Sequence, residues 1–152
     1  MKTLSASSLQ TKKLGADLAK KVLAKKVTKA VIIGLKGDLG GGKTTFAQGF
    51  IKELGIKEKA LSPTFVIFRR FEISNNDNFK NFYHFDVYRI KDPKELISLG
   101  FSDIINDPQN IVLIEWVDVV KELVPEKSIV VSFEFIDKNK REIILGSVDD
   151  IL

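Results

Sequence analysis

The segment Gly37-Asp38-Leu39-Gly40-Gly41-Gly42-Lys43-Thr44 determines how the rest of this sequence is interpreted. It has the spacing G-x-x-x-x-G-K-[ST], in which glycines let the backbone curl so that several N–H groups point at a phosphate. A β-branched run, Ala30 to Leu35, precedes it, and apolar residues at helical spacing, Phe46 to Leu54, follow it. The strand-loop-helix order predicts a phosphate-binding loop. The alternative, a glycine-rich turn with an incidental lysine, does not account for that order.

Each residue type in the loop has a chemical task. Lys43 is expected to be an exposed lysine that reaches the β- and γ-phosphate oxygens, and Thr44 is expected to give a hydroxyl to Mg²⁺. The positive end of the following helix adds to phosphate binding. The other predicted phosphate-site residues are Asp38, Gly40, Gly41, Gly42 and Thr45.

A phosphate loop needs a carboxylate partner for the metal at the end of a neighbouring strand. Glu115 fits because it follows the continuous apolar run Ile111 to Ile114, which is typical of a buried strand. It is predicted at the rim of the sheet where ligands bind, although a plain surface acid is the alternative. Trp116, the only tryptophan, is expected beside the site, in the core or in an interface.

Asp86 is a second candidate carboxylate. Strand alternation in the segment 83–88 puts His84, Asp86 and Tyr88 on one face. Asp86 could orient water or bind the outer shell of the metal, or it could be a sheet-edge residue paired with Arg89 or a lysine. His84 is expected to be packed or hydrogen-bonded and not to act as a general base.

The segment Ser62-Pro63-Thr64 lies where nucleotide switches often place a hydroxyl that senses the γ-phosphate, although these residues also form turns. No Asn-Lys-x-Asp or Thr-Lys-x-Asp sequence of the kind that reads guanine is present, which favours ATP. The chain has four arginines, whereas nucleotide kinases usually need several to hold two phosphate groups, so kinase activity is disfavoured.

The remaining pattern predicts an α/β fold: a P-loop NTPase-like three-layer sandwich with a mixed, partly parallel sheet. The parallel part is expected around the first strand and the Ile111 strand. Ser7 to Gln10 resembles a capping box. The predicted helices span roughly residues 8–25, 46–54 and 92–100, with Asp92 as a cap, and the other predicted strands span 64–73, 82–88, 129–136 and 141–145.

Composition limits the alternatives. With 152 residues, 44% of them hydrophobic, the chain is expected to form a single domain, residues 1–152. The absence of cysteine and the single histidine exclude disulfides and Cys- or multi-His metal centres. No run approaches the roughly 18 apolar residues of a membrane span, so a cytoplasmic location is expected.

Residues 1–60 carry 13 lysines and 4 acids. This basic third could meet RNA or an acidic partner, but its lysines interleave with a helical apolar stripe, which favours a solvated helix face.

Five ordered motifs, spread over nearly the whole chain, resemble those of one known family, the bacterial TsaE family of small ATPases required for the threonylcarbamoyladenosine modification of tRNA. The motifs are Gly-Asp-Leu-Gly-Gly-Gly-Lys-Thr-Thr-Phe at 37–46, Ser-Pro-Thr-Phe at 62–65, Tyr-His-Phe-Asp-Val-Tyr-Arg at 83–89, Asp-Pro-Lys-Glu-Leu at 92–96 and Leu-Ile-Glu-Trp at 113–116. Two positions depart from the family pattern: Gly41, where alanine is common, and Val117, where proline is frequent.

The resemblance implies that the nucleotide is ATP and that Mg²⁺ is held by Thr44 and Glu115. It further implies a sensing role for Thr64 and catalytic support from Asp86. The adenine would be framed by the start of the first helix and by the last strands, that is, by Ser8, Thr11 and the Lys140-Arg141 turn.

The resemblance also implies partners: a carbamoyltransferase-type subunit and its non-catalytic relative, with tRNA contacted indirectly. Hydrolysis of ATP would reset that complex after modification of the adenosine next to the anticodon. Either Asp86 or Glu115 would position the attacking water. The rival functions are a small-molecule kinase and a non-hydrolysing ATP-gated interaction module.

Overall fold

The computed structural model describes residues 1–38, 40, 42–57 and 67–152. Within these ranges seven strands form one sheet in the order β1-β7-β6-β2-β5-β4-β3. The strands are β1 (Lys2–Ser5), β2 (Val31–Gly37), β3 (Phe68–Glu72), β4 (Asn81–Asp86), β5 (Asn110–Glu115), β6 (Ile129–Asp137) and β7 (Lys140–Ser147). The helices are α1 (Ser8–Leu23), α2 (Lys43–Glu53), α3 (Lys94–Ile97), α4 (Phe101–Asn106), a 3₁₀ helix (Val117–Leu123) and α5 (Val148–Ile151).

The centre of the sheet is parallel and its margins are antiparallel. β2 pairs in parallel with both β5 and β6, and β4 pairs in parallel with β5. β7 joins β6, β1 joins β7 and β3 joins β4 in antiparallel pairs. The prediction of a mixed sheet with a parallel part around the first strand of the motif and the Ile111 strand is therefore confirmed.

Apolar residues cover both faces of the sheet. One cluster joins the strands to α1 and α2, and the other joins them to the remaining helices. The central strands contribute to both clusters because alternate side chains of a strand point to opposite faces. Ile33 and Leu113, for example, belong to the first cluster, and Ile32 and Val112 belong to the second. This arrangement confirms the predicted three-layer α/β architecture.

Helices α1 and α2 approach each other closely through two glycines. A β-carbon added to Gly15 would lie 2.1 Å from the carbonyl oxygen of Phe46, and one added to Gly49 would lie 2.0 Å from that of Lys12. Both contacts are with backbone atoms, which cannot rotate away as a side-chain end can. The closeness of the two helices therefore depends on the absence of a side chain at these positions.

Of the two hydrogen bonds of the predicted capping box at the start of α1, one is present and the other is displaced. The Ser7 hydroxyl accepts a hydrogen bond from the Gln10 backbone N–H at 3.1 Å, as the motif requires. The Gln10 side chain, however, accepts from the N–H of Ala6 at 2.7 Å and not from that of Ser7. The return bond is therefore displaced one residue towards the strand β1, which the sequence analysis did not predict.

Three other boundaries differ from the predictions. Strand β4 ends at Asp86, so Tyr88 lies in a turn and outside the strand alternation. Asp92 is not the cap of α3, because the helix starts one residue later with Pro93 at the cap, although Asp92 Oδ1 still accepts from the N–H of Lys94 at 3.0 Å. Gly100 does not only close this region but also caps α4, which had not been predicted.

Within the described residues the predicted strand at 64–73 begins at Phe68 and ends at Glu72, and it pairs with β4 as a hairpin across Ser74 to Asn78, as expected. Its first residues, 64–66, lie outside the described ranges. None of the helices in the described ranges is both long enough and apolar enough to cross a membrane.

We expect the variant Gly49→Ala to lower the melting temperature, because its methyl group would force α1 and α2 apart. Overpacking of this kind costs about 1–3 kcal/mol, or roughly 2–12 °C for a protein of this size. Alanine is otherwise favoured over glycine in a helix by about 1 kcal/mol, so a decrease identifies the contact as its cause. Thermal unfolding followed by circular dichroism measures it. The neighbouring Gln48→Ala, at an exposed position of the same helix, is the control, and an unchanged or raised melting temperature in Gly49→Ala would contradict the close-packing argument.

Candidate nucleotide-binding site

A cleft of about 600 Å³ opens at the carboxyl ends of the parallel strands, beside the loop that joins β2 to α2. Its lining brings together ten of the predicted site residues: Ser8, Thr11, Gly40, Gly42, Lys43, Thr44, Thr45, Asp86, Glu115 and Arg141. Asp38 lies in the same loop but is not part of the lining. Gly41 and Thr64, also predicted, lie outside the described residues.

Two glycines give the loop its path. Gly37 has φ +151, and a β-carbon there would lie 2.7 Å from the carbonyl oxygen of Phe133 on the neighbouring strand β6. Gly42 has φ +100 and precedes the first residue of α2, where no side chain caps the helix. Both conformations favour glycine over residues with side chains. No side chain caps this 11-residue helix, and its first residues, Lys43, Thr44 and Thr45, line the cleft, so the positive end of the helix borders it.

Lys43 is buried, with 5% of its surface exposed, contrary to the expectation of an exposed loop lysine. Its ammonium donates hydrogen bonds to the carbonyl oxygens of Gly37 and Asp38, the latter at 2.9 Å, and lies 4.2 Å from the centre of the Trp116 ring. Burial lowers the pKa of Lys43, and the negative charges of nearby acids, Glu115 first, oppose that decrease. The cation is therefore held inside the loop by carbonyl dipoles, an aromatic face and surrounding carboxylates.

The two candidate carboxylates end adjacent strands. Asp86 closes β4, Glu115 closes β5, and the two residues are register partners. In a parallel pair, partners face the same side of the sheet, so both carboxylates lie on the side covered by α1 and α2. Glu115 is buried, with 3% exposure, and its Oε2 lies 2.7 Å from Nε2 of the equally buried His84. His84 is thus packed and hydrogen-bonded, as predicted.

Asp86 is half-buried, and its Oδ1 accepts a hydrogen bond from the backbone N–H of Tyr88 at 3.2 Å. In the described part of the chain no ion pair joins it to Arg89 or to a lysine. Burial raises the pKa of Asp86 and the charge of Glu115 raises it further, whereas the Tyr88 N–H, His84 and Lys43 act in the opposite direction. The structure therefore places Asp86 in the cleft without the ion pair of the alternative interpretation.

The oxygen donors of the cleft suit Mg²⁺. Within the described ranges no group of three or more His, Asp or Glu side chains is arranged to hold a metal ion. Mg²⁺ does not need such a cage, because it is usually bound by one or two carboxylates together with phosphate oxygens and water. Thr44, Glu115 and Asp86 line one cleft and supply one hydroxyl and two carboxylates. This donor set fits the predicted ion.

The amino-terminal segment also lines the cleft, through Ser5 to Ser8 and Thr11. Ser5, at the end of β1, lies 2.7 Å from the Thr11 hydroxyl, and both residues are buried. The Thr11 hydroxyl also donates to the carbonyl oxygen of Ser7 at 3.2 Å. Thr11 therefore fixes the turn between β1 and α1, and its methyl group lies 3.7 Å from where a β-carbon on Gly42 would be.

Arg141 ties the phosphate loop to the last hairpin. Its Nε donates to the carbonyl oxygen of Gly40 at 3.1 Å, and its Nη1 donates to those of Asp137 and Lys140. Its guanidinium carbon lies 4.9 Å from the centre of the Phe135 ring. Lys140 and Arg141 are the first residues of β7 and do not form the turn, which was wrongly predicted there; the turn residues are Lys138 and Asn139, and both line the cleft.

The structure adds lining residues that the sequence analysis did not assign to the site: Ser5, Ala6, Ser7, Tyr88, Lys138 and Asn139. Trp116 lies beside the site, which was one of its expected positions, and its ring is 4.7 Å from that of Tyr88. It adopts φ +64, which lets the chain turn from β5 into the 3₁₀ helix. Val117 then packs onto Gly34, where a β-carbon would lie 2.5 Å from a Val117 methyl group. The turn therefore forms without a proline.

Comparison with known proteins gives consistent similarities. A family model described as "Threonylcarbamoyl adenosine biosynthesis protein TsaE" matches residues 5–143. The chain is 39% identical to the tRNA threonylcarbamoyladenosine biosynthesis protein TsaE of Rickettsia felis, over 87% of this chain and 71% of that protein. It is 36% identical to the Bacillus subtilis protein of the same name, over 77% and 70%. A crystal structure of B. subtilis YdiB superimposes with a TM-score of 0.69 at 26% identity, covering 97% of this chain and 85% of that one.

We expect Asp86→Asn to be more stable than the wild type at pH 7. Because burial raises the pKa of Asp86, the folded state holds this proton more tightly than the unfolded state, so ionisation of Asp86 disfavours folding. The amide removes the charge and keeps the oxygen that accepts the Tyr88 N–H. The gain in melting temperature should be largest at pH values above the folded-state pKa of Asp86. It should shrink as the pH falls through that pKa towards the ordinary pKa of an aspartate in the unfolded chain.

Thermal unfolding at a series of pH values measures this difference. Asp107→Asn is the matched control, because Asp107 also accepts a backbone N–H two residues along the chain, from Gln109 at 2.9 Å, in a turn outside the cleft. A loss of stability at pH 7 in Asp86→Asn would show that the ionised carboxylate stabilises the fold.

Proposed function

This chain belongs to the TsaE family, and from that membership and the cleft described above we propose that it acts in the threonylcarbamoyladenosine modification of tRNA as an ATP-binding and ATP-hydrolysing subunit. The observation that carries the proposal is the meeting of Lys43, Thr44, Asp86 and Glu115 at one edge of the sheet, beside the uncapped start of α2. A lysine, a hydroxyl and two carboxylates at a phosphate loop are the groups that nucleotide hydrolysis requires.

Phosphate binding would begin with Lys43. Its ammonium now donates to the carbonyl oxygens of Gly37 and Asp38, and phosphate oxygens would replace these neutral acceptors with charged ones. The ammonium is attracted more strongly by the charged phosphate oxygens than by neutral carbonyl oxygens, so the exchange favours nucleotide binding. Backbone N–H groups at the start of α2 would add to the attraction.

Thr44 and Glu115 would hold Mg²⁺, which would neutralise charge on the β- and γ-phosphate oxygens. Asp86 would accept a hydrogen bond from the attacking water and place it in line with the bond to be broken. Asp86 suits this task because it is half-exposed in the cleft, and because burial raises its pKa, which makes it a stronger base than an ordinary aspartate. Glu115, which is buried against His84, suits the fixed position of a metal ligand.

We assign adenine binding to the wall formed by Ser5 to Ser8 and Thr11, beside the turn Lys138-Asn139, because Ser5 is the register partner of Arg141. The sequence carries no guanine-reading motif, and this wall offers small hydroxyl side chains and backbone groups. Arg141 is placed at this end of the cleft, where it would support the loop through Gly40.

The scarcity of arginine among the described lining residues supports regulation by partners. Among the described lining residues Arg141 alone is an arginine, and its guanidinium is bonded to backbone carbonyl oxygens. Phosphoryl-transfer sites without a charge-stabilising arginine are slow until a partner completes them. We therefore propose that the carbamoyltransferase-type subunit and its non-catalytic relative stimulate hydrolysis, with tRNA contacted through them and Thr64 sensing the γ-phosphate.

Lys43→Met should weaken ATP binding by roughly 10–100-fold, because charge-assisted hydrogen bonds contribute about 1.5–3 kcal/mol and each 1.4 kcal/mol changes affinity tenfold. Methionine is chosen because Lys43 is buried and the space of its aliphatic chain must stay occupied. Equilibrium dialysis with labelled ATP gives the dissociation constant. Lys52→Met, at an exposed position of the same helix, should bind as the wild type does; equal affinity in Lys43→Met would remove the phosphate-loop assignment.

The isolated chain should hydrolyse ATP slowly, and the carbamoyltransferase-type complex should stimulate it. In the presence of the complex, Glu115→Ala should hydrolyse ATP about 10–100-fold more slowly than the wild type. Phosphate release with and without the complex measures both effects, and Glu122→Ala, at an exposed carboxylate of the 3₁₀ helix, controls for the lost charge. Vigorous hydrolysis by the chain alone would refute the regulatory role. A phosphorylated small molecule would establish the kinase instead, and tight ATP binding without turnover would establish the interaction module.

A further inference from the structure

The mechanism above gives His84 no chemical task, although its contact with Glu115 buries two ionisable side chains beside the cleft. Their side chains are 2% and 3% exposed, and His84 Nε2 lies 2.7 Å from Glu115 Oε2. Burying two ionisable side chains is unfavourable unless the geometry is good, and apolar residues of similar volume are often at least as stabilising. Stability alone is therefore a weak explanation for this pair.

The sheet fixes the imidazole at a defined distance from the cleft. His84 lies two residues before Asp86 in β4 and is in register with Leu113, two residues before Glu115 in β5. The imidazole therefore reaches diagonally from one strand to the last residue of the next. On its other side the ring of Phe82 lies 6.3 Å away, centre to centre, and Phe82 is fully buried. Neither strand can move without breaking the parallel ladder, so the imidazole is held firmly.

The chemistry of the contact sets the direction of the hydrogen bond. A carboxylate that binds a metal ion is ionised and has no proton to give, so in that state Nε2 of His84 carries the proton and donates it. A donated hydrogen bond selects one side-chain orientation of Glu115 from those that a glutamate has, and it removes the entropy loss of ordering that side chain on ligand binding. Partners of this kind orient the carboxylates and imidazoles that bind metals in proteins.

We propose that His84 is a positioning residue that holds the Glu115 carboxylate in the orientation in which it binds Mg²⁺ together with ATP. This inference rests on the proposed function of the cleft. Its consequence is specific to the metal: loss of the Nε2 donor should weaken Mg²⁺ binding to the nucleotide complex and leave nucleotide binding without metal unchanged, because Lys43 and the loop supply the latter.

The test compares substitutions that keep or remove the donor. His84→Gln places an amide N–H near the position of Nε2, His84→Asn places its amide nearer to Nδ1, and His84→Leu has no donor. ADP affinity is measured by Trp116 fluorescence across a Mg²⁺ titration and in EDTA, and Mn²⁺ binding to the ADP complex is measured by electron paramagnetic resonance. Steady-state hydrolysis is recorded in parallel.

His84→Leu and His84→Asn should each raise the Mg²⁺ concentration for half-saturation by about 10–100-fold, with ADP affinity in EDTA unchanged. His84→Gln should restore most of the metal affinity. Phe85→Leu, a cavity-forming change on the opposite face of the same strand, should lower stability and leave the Mg²⁺ requirement unchanged. If His84→Leu does not fold, the comparison of the Gln and Asn variants still decides the question.

A wild-type Mg²⁺ requirement in both His84→Asn and His84→Leu, or in His84→Asn where the leucine variant does not fold, would overturn the proposal. So would an equal loss of metal affinity in Phe85→Leu, which would reduce the role of His84 to the stability of the strand. Failure of the proposed function looks different: the wild-type protein itself would then bind no nucleotide, or would bind it without any effect of Mg²⁺ or Mn²⁺.

Discussion

The parallel pairing of β2 with β5 and β6 is the constraint on which the site depends. It brings the carboxyl ends of β2, β5 and β6 to one edge of the sheet, and the pairing of β5 with β4 adds a fourth. Because side chains alternate along a strand, a shift of register by one residue would turn Glu115 away from α1 and α2. Both faces of β2 and β5 are buried, so close packing opposes such a shift, as where Val117 fits against the bare backbone of Gly34. The packing of the central strands thus fixes the positions of the groups at their ends.

The phosphate loop is further held by elements distant from it in sequence. The glycine contacts at Gly15 and Gly49 bring α1 against α2, so the amino-terminal turn becomes a wall of the cleft. From the other side, Arg141 bonds the carbonyl oxygen of Gly40, and the backbone of β6 lies against Gly37. Gly37, Gly40 and Gly42 all have positive φ, and glycine restricts the backbone less than any other residue. The path of the chain at these residues therefore depends on tertiary contacts that the loop motif does not encode.

Local patterns explain how far the sequence could predict this structure. The loop, the strand before it and the helix after it follow from glycine spacing and apolar periodicity, and the strand ending in Glu115 follows from its continuous apolar run. Strand β1 could not be predicted because Ser5 is its one buried residue, which leaves no alternating pattern to detect. Helix α4 was hidden because Gly100 is typical of a helix end, yet here it also precedes a helix start.

The geometry of the site depends on packing between distant segments. Examples are the burial of Lys43, the contact of His84 with Glu115 and the bonds of Arg141. Sequence spacing gives residue types for such a site but not their distances.

The charged side chains of the cleft act on one another, and these interactions indicate which ligands the cleft favours. Lys43 is the buried cation of the cleft, and Asp38, Asp86, Glu115 and Asp118 all act on its charge. Desolvation lowers the pKa of the lysine and raises that of Asp86, so the fold opposes both charges that phosphoryl transfer needs. The carbonyl oxygens of Gly37 and Asp38 and the ring of Trp116 keep the ammonium in place, but they are neutral partners. A phosphate would satisfy the same cation better, and the surrounding carboxylates would then need a cation of their own. Binding of an anionic nucleotide and binding of a divalent metal are therefore expected to favour each other in this cleft, because each relieves the unfavourable charge that the other leaves.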